Sequence, residues 1–138
     1  MDREEACLKL HEVATDEIGV HEIPGPEANA RIMEYERHTN RGYTGSDEEH
    51  WCAKFANFVC DTAGFPGTHS AAAASFKTWG VKLDKPIKGC LVVWPHHVAF
   101  CDHPDISNGI IRVVGGNQGD AVKVSRLKAK DAVFRSPL

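Results

Sequence analysis

One cysteine of the chain lies where a thiol could act as a nucleophile. The pattern of apolar residues predicts a helix that begins near Trp51 and ends at Ala63, with Gly64 as its stop. Ser46 and Glu49 resemble a capping box in front of this helix. A thiol at a helix N-terminus lies beside unpaired backbone N–H groups and the positive end of the helix dipole, which both favour the thiolate. Cys52 is therefore a candidate nucleophile; the alternative is a small buried side chain, the commoner fate of a cysteine.

A cysteine nucleophile needs an imidazole that takes its proton and later protonates the leaving amine. The chain has eight histidines, and His97 is the first candidate because it opens a predicted core strand over residues 97–101. A histidine at the first position of such a strand can face the N-terminus of a helix packed across it. The alternative for His97 is a structural histidine at a strand end.

A third group must orient the imidazole, and a polar segment after the predicted strand 110–114 can supply it. Asn117 is the first choice and Gln118 the second, because an amide oxygen can accept a hydrogen bond from the imidazole N–H. Glycines on both sides of this pair permit a close approach of the backbone. The alternative is that the segment only forms the turn into the next strand.

Further contacts to a substrate are expected around this centre. Trp51 and Trp94 bracket it and could line a groove, although aromatic residues beside a core helix are more often packing. The full set of expected substrate contacts is Trp51, Trp94, His96 and Gln118. The backbone N–H of Cys52 is one expected donor to the oxyanion, and the chemistry requires no metal or organic cofactor.

The elements that position these residues fall into two halves. Stop signals and apolar periodicity predict helices over residues 3–18, 28–38, 51–63 and 71–79. Short β-rich runs follow over residues 90–94, 97–101, 110–114, 121–124 and 132–135. Helices followed by strands predict one α+β domain over residues 1–138, with the Cys52 helix packed on one face of an antiparallel sheet.

Composition and charge narrow the classes of protein. The 138 residues are 42% hydrophobic and 25% charged, which is typical of a soluble globular protein. A net charge of −3 without a run of Lys and Arg argues against nucleic acid as the main partner. The N-terminus lacks the basic and apolar regions of a Sec-type signal, and no apolar run approaches the ~20 residues of a membrane span. We therefore expect a soluble monomer made in the cytoplasm.

The five cysteines show no CxxC spacing, which argues against a disulfide framework. Cys90 and Cys101 flank a predicted hairpin at equal distance from its turn at Pro95 and His96. A contact between these two thiols across the strands is therefore possible, and we expect both to be reduced.

Several segments, taken in order, resemble a known family. They are Pro24-Gly-Pro-Glu-Ala-Asn29, Asp47-Glu-Glu-His-Trp-Cys52, Ala63-Gly-Phe-Pro-Gly-Thr68, Trp79-Gly80, His97-Val-Ala-Phe100, Gly115-Gly-Asn-Gln118 and Arg135-Ser-Pro137. This ordered set resembles the small CHAP-like and NlpC-like cysteine peptidases, many of which are encoded by phages and prophages. The resemblance covers nearly the whole chain, and its Trp-Cys-Ala, His-Val-x-Phe and Gly-Gly-Asn-Gln segments are specific when they occur together.

The resemblance implies a papain-like fold and hydrolysis of a peptide or amide bond in bacterial peptidoglycan. The enzyme would be endolysin-like, an endopeptidase or an N-acetylmuramoyl-L-alanine amidase. By this match Cys52 is the nucleophile, His97 is the general base and acid, and Asn117 orients the imidazole. The cell wall would be the partner, reached after release or delivery by another factor.

The chain departs from the family pattern close to the proposed centre. His50 stands where the family has proline, Lys54 replaces a small residue, and His96 replaces glycine. The link between Trp94 and His97 is also shorter than in typical relatives. His96 is therefore an alternative base.

Two other functions stay open. One is a non-catalytic metal-binding domain that uses His96, His97, Cys101, His103 and Cys90, although zinc ligands are usually paired at turn spacing. The other is a cysteine acyltransferase or peptidase whose substrate is not the cell wall.

Overall fold

The computed structural model describes residues 1–23, 29–39, 51–118 and 120–138, with only the backbone of residues 117 and 118. Within these ranges the helices come first and the strands follow, which confirms the α+β class. The helices are α1 (Arg3–Asp16), α2 (Ala30–Glu36) and α3 (Cys52–Ala63), followed by a 3-10 helix (Ala73–Thr78). The strands are β1 (Val81–Leu83), β2 (Leu91–Trp94), β3 (His97–Ser107), β4 (Ile110–Gln118), β5 (Ala121–Lys128) and β6 (Val133–Ser136).

The six described strands form one antiparallel sheet in the order β1-β6-β2-β3-β4-β5. Strands β2 and β3 form the predicted hairpin, in which Trp94 pairs with His97 around a two-residue turn. The next hairpin turns at Asn108 and Gly109, both with positive φ, as a type I′ turn requires. These short turns fix the register of the central strands.

Helix α3 packs on one face of the sheet and is buried along most of its length. Residues 51–60 are all buried, and Phe55 meets Phe100 of β3 edge to face at a centroid distance of 6.3 Å. Full burial of one such ring stabilises the fold by about 1.5–3 kcal/mol. Val98 and Val114 lie in the same apolar cluster, so α3 is seated on β3 and β4.

The opposite face of the sheet carries a second apolar cluster. Along β3, Val98 and Phe100 belong to the α3 side, whereas Ala99 and Cys101 belong to the other. This alternation is the period of two that a strand buried on both faces requires. Cys7 and Cys90 lie in the second cluster as well.

Helix α3 begins and ends as predicted, with Cys52 and Ala63 as its first and last residues. Gly64 is the C-cap in the left-handed region, with φ of 94°. The N-cap is Trp51, which makes no side-chain capping bond. The proposed capping box of Ser46 and Glu49 lies outside the described residues.

Other boundaries differ from the prediction for local reasons. The segment predicted as a helix over 71–79 is a short 3-10 helix, in which the Ser75 hydroxyl donates to the Ala72 carbonyl. Such a side-chain bond competes with regular helix formation. Helix α2 is shorter than predicted, strands β3 to β5 extend past their predicted ends, and β1 was not predicted as a separate strand.

Candidate functional site

Cys52 is the first residue of α3, and the indole of the preceding residue anchors this end of the helix. The Trp51 Nε1–H donates to Oε1 of Glu22 at 2.6 Å, and Trp51 O accepts from the Phe55 backbone N–H at 2.9 Å. Only 7% of Cys52 is exposed. The predicted position of the cysteine at the helix start is therefore confirmed.

Burial dominates the ionisation of Cys52. Loss of solvent raises the pKa of this thiol, and the backbone N–H groups of Val98, Ala53 and Cys52 itself offset only part of that rise. The backbone N–H groups at the helix start therefore favour the thiolate, as expected, but burial outweighs them and the pKa of Cys52 stays above its ordinary value. The sulfur needs a base to become a nucleophile.

A cleft of about 610 Å³ brings Cys52 and His97 together. Its lining residues are Cys52, Ala71, Ala72, Ala73, Ala74, Pro95, His96 and His97. The Val98 backbone N–H that reaches the Cys52 sulfur belongs to the residue directly after His97. The start of β3 and the start of α3 therefore meet at this cleft.

His97 is the first residue of β3, and its ring contacts the ring of Trp94. The two rings lie 5.6 Å apart at an interplanar angle of 36°, and the Trp94 Nε1–H donates to the Lys128 carbonyl at 2.9 Å. His97 is half-buried, whereas its neighbour His96 is exposed. Trp94 is not among the residues that line the cleft, and its expected contact with a substrate stays a prediction.

The structure also places Trp51 in the core and not in a groove. The residue is 1% exposed, and its ring centroid lies 6.0 Å from that of Tyr35. A Cβ on Gly116 would lie 2.7 Å from Cζ3 of Trp51 and 2.7 Å from Cβ of Phe55. Strand β4 thus approaches α3 so closely that only glycine fits, which explains one glycine of the Gly-Gly-Asn-Gln segment.

Asn117 and Gln118 belong to β4 by their backbone, and their side chains lie outside the described part of the chain. Their expected roles beside the imidazole and the substrate therefore stay predictions.

A buried ion pair involves Lys54, two residues after the cysteine on α3. Lys54 and Glu36 are each 2% exposed, and Nζ of Lys54 contacts Oε1 of Glu36. The sequence showed lysine in place of a small residue but gave no partner for it. A lysine on an apolar helix is a signal for a buried acidic partner, since an unpaired buried charge is costly.

The residues of the metal-binding alternative do not form a ligand set. Among the residues that the structure describes, no group of three or more His, Cys, Asp or Glu side chains is arranged to hold a metal ion. Cys90 and Cys101 are buried in the second cluster, whereas His96 and His103 are exposed. Cys90 and Cys101 are free thiols in contact with each other, and this contact with burial raises the pKa of Cys90.

The comparisons with known proteins give no relative. No family model, no curated protein and no solved structure matches this chain. Among the described helices, none has the length and apolar character needed to cross a membrane.

Proposed function

We propose that the chain is a cysteine hydrolase that cleaves a peptide or amide bond, with Cys52 as the nucleophile and His97 as the general base and acid. The observation that supports this most directly is the shared cleft, in which the sulfur at the start of α3 and the imidazole at the start of β3 are both lining groups. A nucleophile and a base on two different, well-packed elements have the arrangement that such chemistry requires.

The reaction proceeds in two halves. His97 takes the proton of Cys52 as the sulfur attacks the carbonyl carbon, and the Cys52 backbone N–H donates to the oxyanion. The C–N bond then breaks, the amine leaves with the proton from His97, and a thioester remains on Cys52. Water adds to the thioester while His97 takes its proton, and the C–S bond breaks to release the acid and restore the thiol.

The raised pKa of Cys52 fits proton transfer during attack. Because burial favours the neutral thiol, the sulfur is mostly protonated near neutral pH, and the imidazole removes the proton as the new bond forms. His97 thus acts as a base in the first half-reaction.

The register of the sheet supports Asn117 as the residue that orients the imidazole. Phe100 of β3 pairs with Val114 of β4. His97 lies three residues before Phe100, and Asn117 lies three residues after Val114. Continued outward in the same register, this pairing would bring position 117 opposite position 97, in the part of β4 where its pairing with β5 shifts between Gly115 and Gln118.

The resemblance supports bacterial peptidoglycan as the substrate and a papain-like arrangement as the fold. A nucleophile at a helix N-terminus, packed on an antiparallel sheet that carries the base at a strand start, fits that arrangement. The enzyme would be endolysin-like and would act on the wall after another factor delivers it.

Digestion of purified peptidoglycan tests both the chemistry and the substrate. Wild type, Cys52→Ala and the control Cys60→Ala, which removes a thiol buried on the same helix away from the cleft, are compared by mass spectrometry of the released fragments. Wild type and Cys60→Ala are expected to release the same fragments, and Cys52→Ala none. The new termini would identify the bond that is cut.

Two results would contradict the proposal in different ways. Equal release by wild type and Cys52→Ala would exclude the cysteine mechanism. No release from peptidoglycan, together with Cys52-dependent cleavage of a peptide library, would exclude the cell wall and leave a hydrolase with another substrate.

A further inference from the structure

The side chain of Asn57, on α3, forms hydrogen bonds with the loop of residues 64–72, which connects α3 to the 3-10 helix. Asn57 is fully buried, and its Nδ2 donates to the Ser70 carbonyl at 3.0 Å and to the Ala53 carbonyl at 2.9 Å. Its Oδ1 accepts from the His69 backbone N–H at 2.6 Å. One amide therefore binds two successive residues of the loop with both its donor and its acceptor.

The loop lies directly against this amide. A Cβ on Gly67 would lie 2.3 Å from Oδ1 of Asn57. One turn further along α3, Asp61 accepts from the Gly67 backbone N–H at 2.9 Å and contacts the His69 ring at 3.1 Å. Residues four apart share a helix face, so Asn57 and Asp61 together hold the loop on one side of α3.

The loop continues into one wall of the cleft. Ser70, whose carbonyl Asn57 binds, directly precedes the four alanines at 71–74 that line the cleft with Cys52. We call residues 68–75, which include these alanines, the alanine wall. Within it, the Ser70 hydroxyl accepts from the Ala72 backbone N–H at 3.1 Å, and the Thr68 and Ser75 hydroxyls lie 2.7 Å apart. The alanine wall is therefore a connected unit, which Asn57 and Asp61 hold on α3 and which Ala73 and Phe76 anchor in the apolar cluster.

We propose that Asn57 is a positioning residue that sets the width of the Cys52 cleft and so determines how bulky a group can reach the sulfur. The nucleophile and the attachment point lie on the same helix, five residues apart, so the amide fixes the alanine wall relative to Cys52. The effect on substrates rests on the proposed hydrolase function, whereas the effect on access to the thiol does not.

Chemical modification of Cys52 measures this access without any substrate. Wild type and Asn57→Ala are treated with iodoacetamide, a small reagent, and with a fluorescein maleimide, a bulky one. Peptide mapping by mass spectrometry gives the rate at Cys52 alone. Val59→Ala, a cavity variant at a buried residue of the same helix, is the control for general destabilisation.

The ratio of the bulky-reagent rate to the small-reagent rate is expected to rise roughly tenfold in Asn57→Ala, the factor that the loss of one net hydrogen bond can produce. Val59→Ala is expected to leave the ratio at the wild-type value. In the hydrolysis assay, Asn57→Ala should raise the ratio of kcat/KM for a bulky substrate to that for a small one, mainly through KM, because Cys52 and His97 are not touched.

A second variant keeps the test decisive if Asn57→Ala does not fold. Asn57→Asp retains the acceptor for the His69 N–H but loses the two donated bonds, so it should raise the ratio in the same direction. Equal ratios in the Asn57 variants and in Val59→Ala would overturn the proposal. A changed ratio in the Asn57 variants, together with no hydrolysis by wild type, would overturn only the hydrolase function.

Discussion

At the scale of single residues, the two adjacent histidines in the cleft have different surroundings. His97 is half-buried, pairs with Trp94 across the hairpin and contacts its ring. His96 occupies the turn and is exposed. A general base must be held in one orientation, and only His97 has a neighbour that restricts its ring.

Replacing each histidine by alanine separates their roles. His97→Ala is expected to lower kcat by about 10²- to 10⁴-fold, the usual contribution of a general base. His96→Ala should change kcat less than about tenfold and act mainly on KM, because its imidazole lines the cleft without a contact among the described residues that would fix its orientation. Steady-state kinetics on the same substrate checks both, and the reverse order of effects would assign the base to His96.

At the scale of elements, α2 and α3 are joined by the buried pair of Glu36 and Lys54. Both side chains are at most 3% exposed, so neither charge is well solvated when its partner is removed. A broken buried pair costs more than an absent one because the remaining charge keeps its desolvation penalty. The pair therefore acts as a coupling between the two helices.

Unfolding by urea measures this coupling. Lys54→Met is expected to lower the free energy of unfolding by about 3–5 kcal/mol, and Glu36→Gln to lower it as well. The double variant should lose less than the sum of the two single variants. Glu34→Gln, at a side chain that is 42% exposed and paired with Arg31, is the control and should change stability by less than about 1 kcal/mol. Strict additivity would contradict the coupling.

Local patterns in the sequence predicted those elements whose signals are short in range. The apolar spacing of α3, its glycine stop and the two-residue turn at Pro95 and His96 all depend on neighbours within one turn or one hairpin. The second half of β3 was missed because its residues are mostly polar and exposed, and it becomes a strand only through pairing with β4.

The residues that support the site could not be predicted, because their hydrogen-bond and ion-pair partners lie far away along the chain or in the loop that follows α3. Cys52 and His97 carry recognisable chemistry in their local context. Asn57, however, reads as one polar residue on an apolar helix until the position of Ser70 is known. Lys54 gave a partial signal, since a lysine among buried positions requires a partner, but nothing local indicated Glu36.

At the scale of the whole molecule, the helical layer and the sheet are linked by Asp102. Its carboxylate contacts Nε2 of His11 on α1 at 2.7 Å and accepts from Nε of Arg112 on β4 at 2.6 Å. Burial alone would raise the pKa of Asp102, but hydrogen bonds from His11 and Arg112 bring it below the ordinary value of 3.8. The folded state therefore binds this proton more weakly than the unfolded chain.

Because the pKa of Asp102 is lowered in the folded state, acid weakens this link and lowers the free energy of unfolding. The stabilisation by the Asp102 carboxylate is complete at pH values above 3.8, the pKa of the unfolded chain, and is lost as pH falls through the lower pKa of the folded state. Asp102→Asn is expected to lower the free energy of unfolding by about 1–2 kcal/mol near neutral pH, a value reduced by the partial exposure of Arg112. The difference from wild type should narrow steadily below about pH 4, as the wild-type carboxyl is protonated.

Urea titrations across this pH range check the prediction, with Asp105→Asn as the matched control. Asp105 lies on the same strand but is 86% exposed in its side chain, so its replacement should change stability little at any pH. A pH-independent loss in Asp102→Asn would show that packing, and not the charge, makes the link. A loss confined to acid would reverse the sign and contradict the assigned pKa, because a carboxyl with a depressed pKa stabilises the fold only while it is ionised.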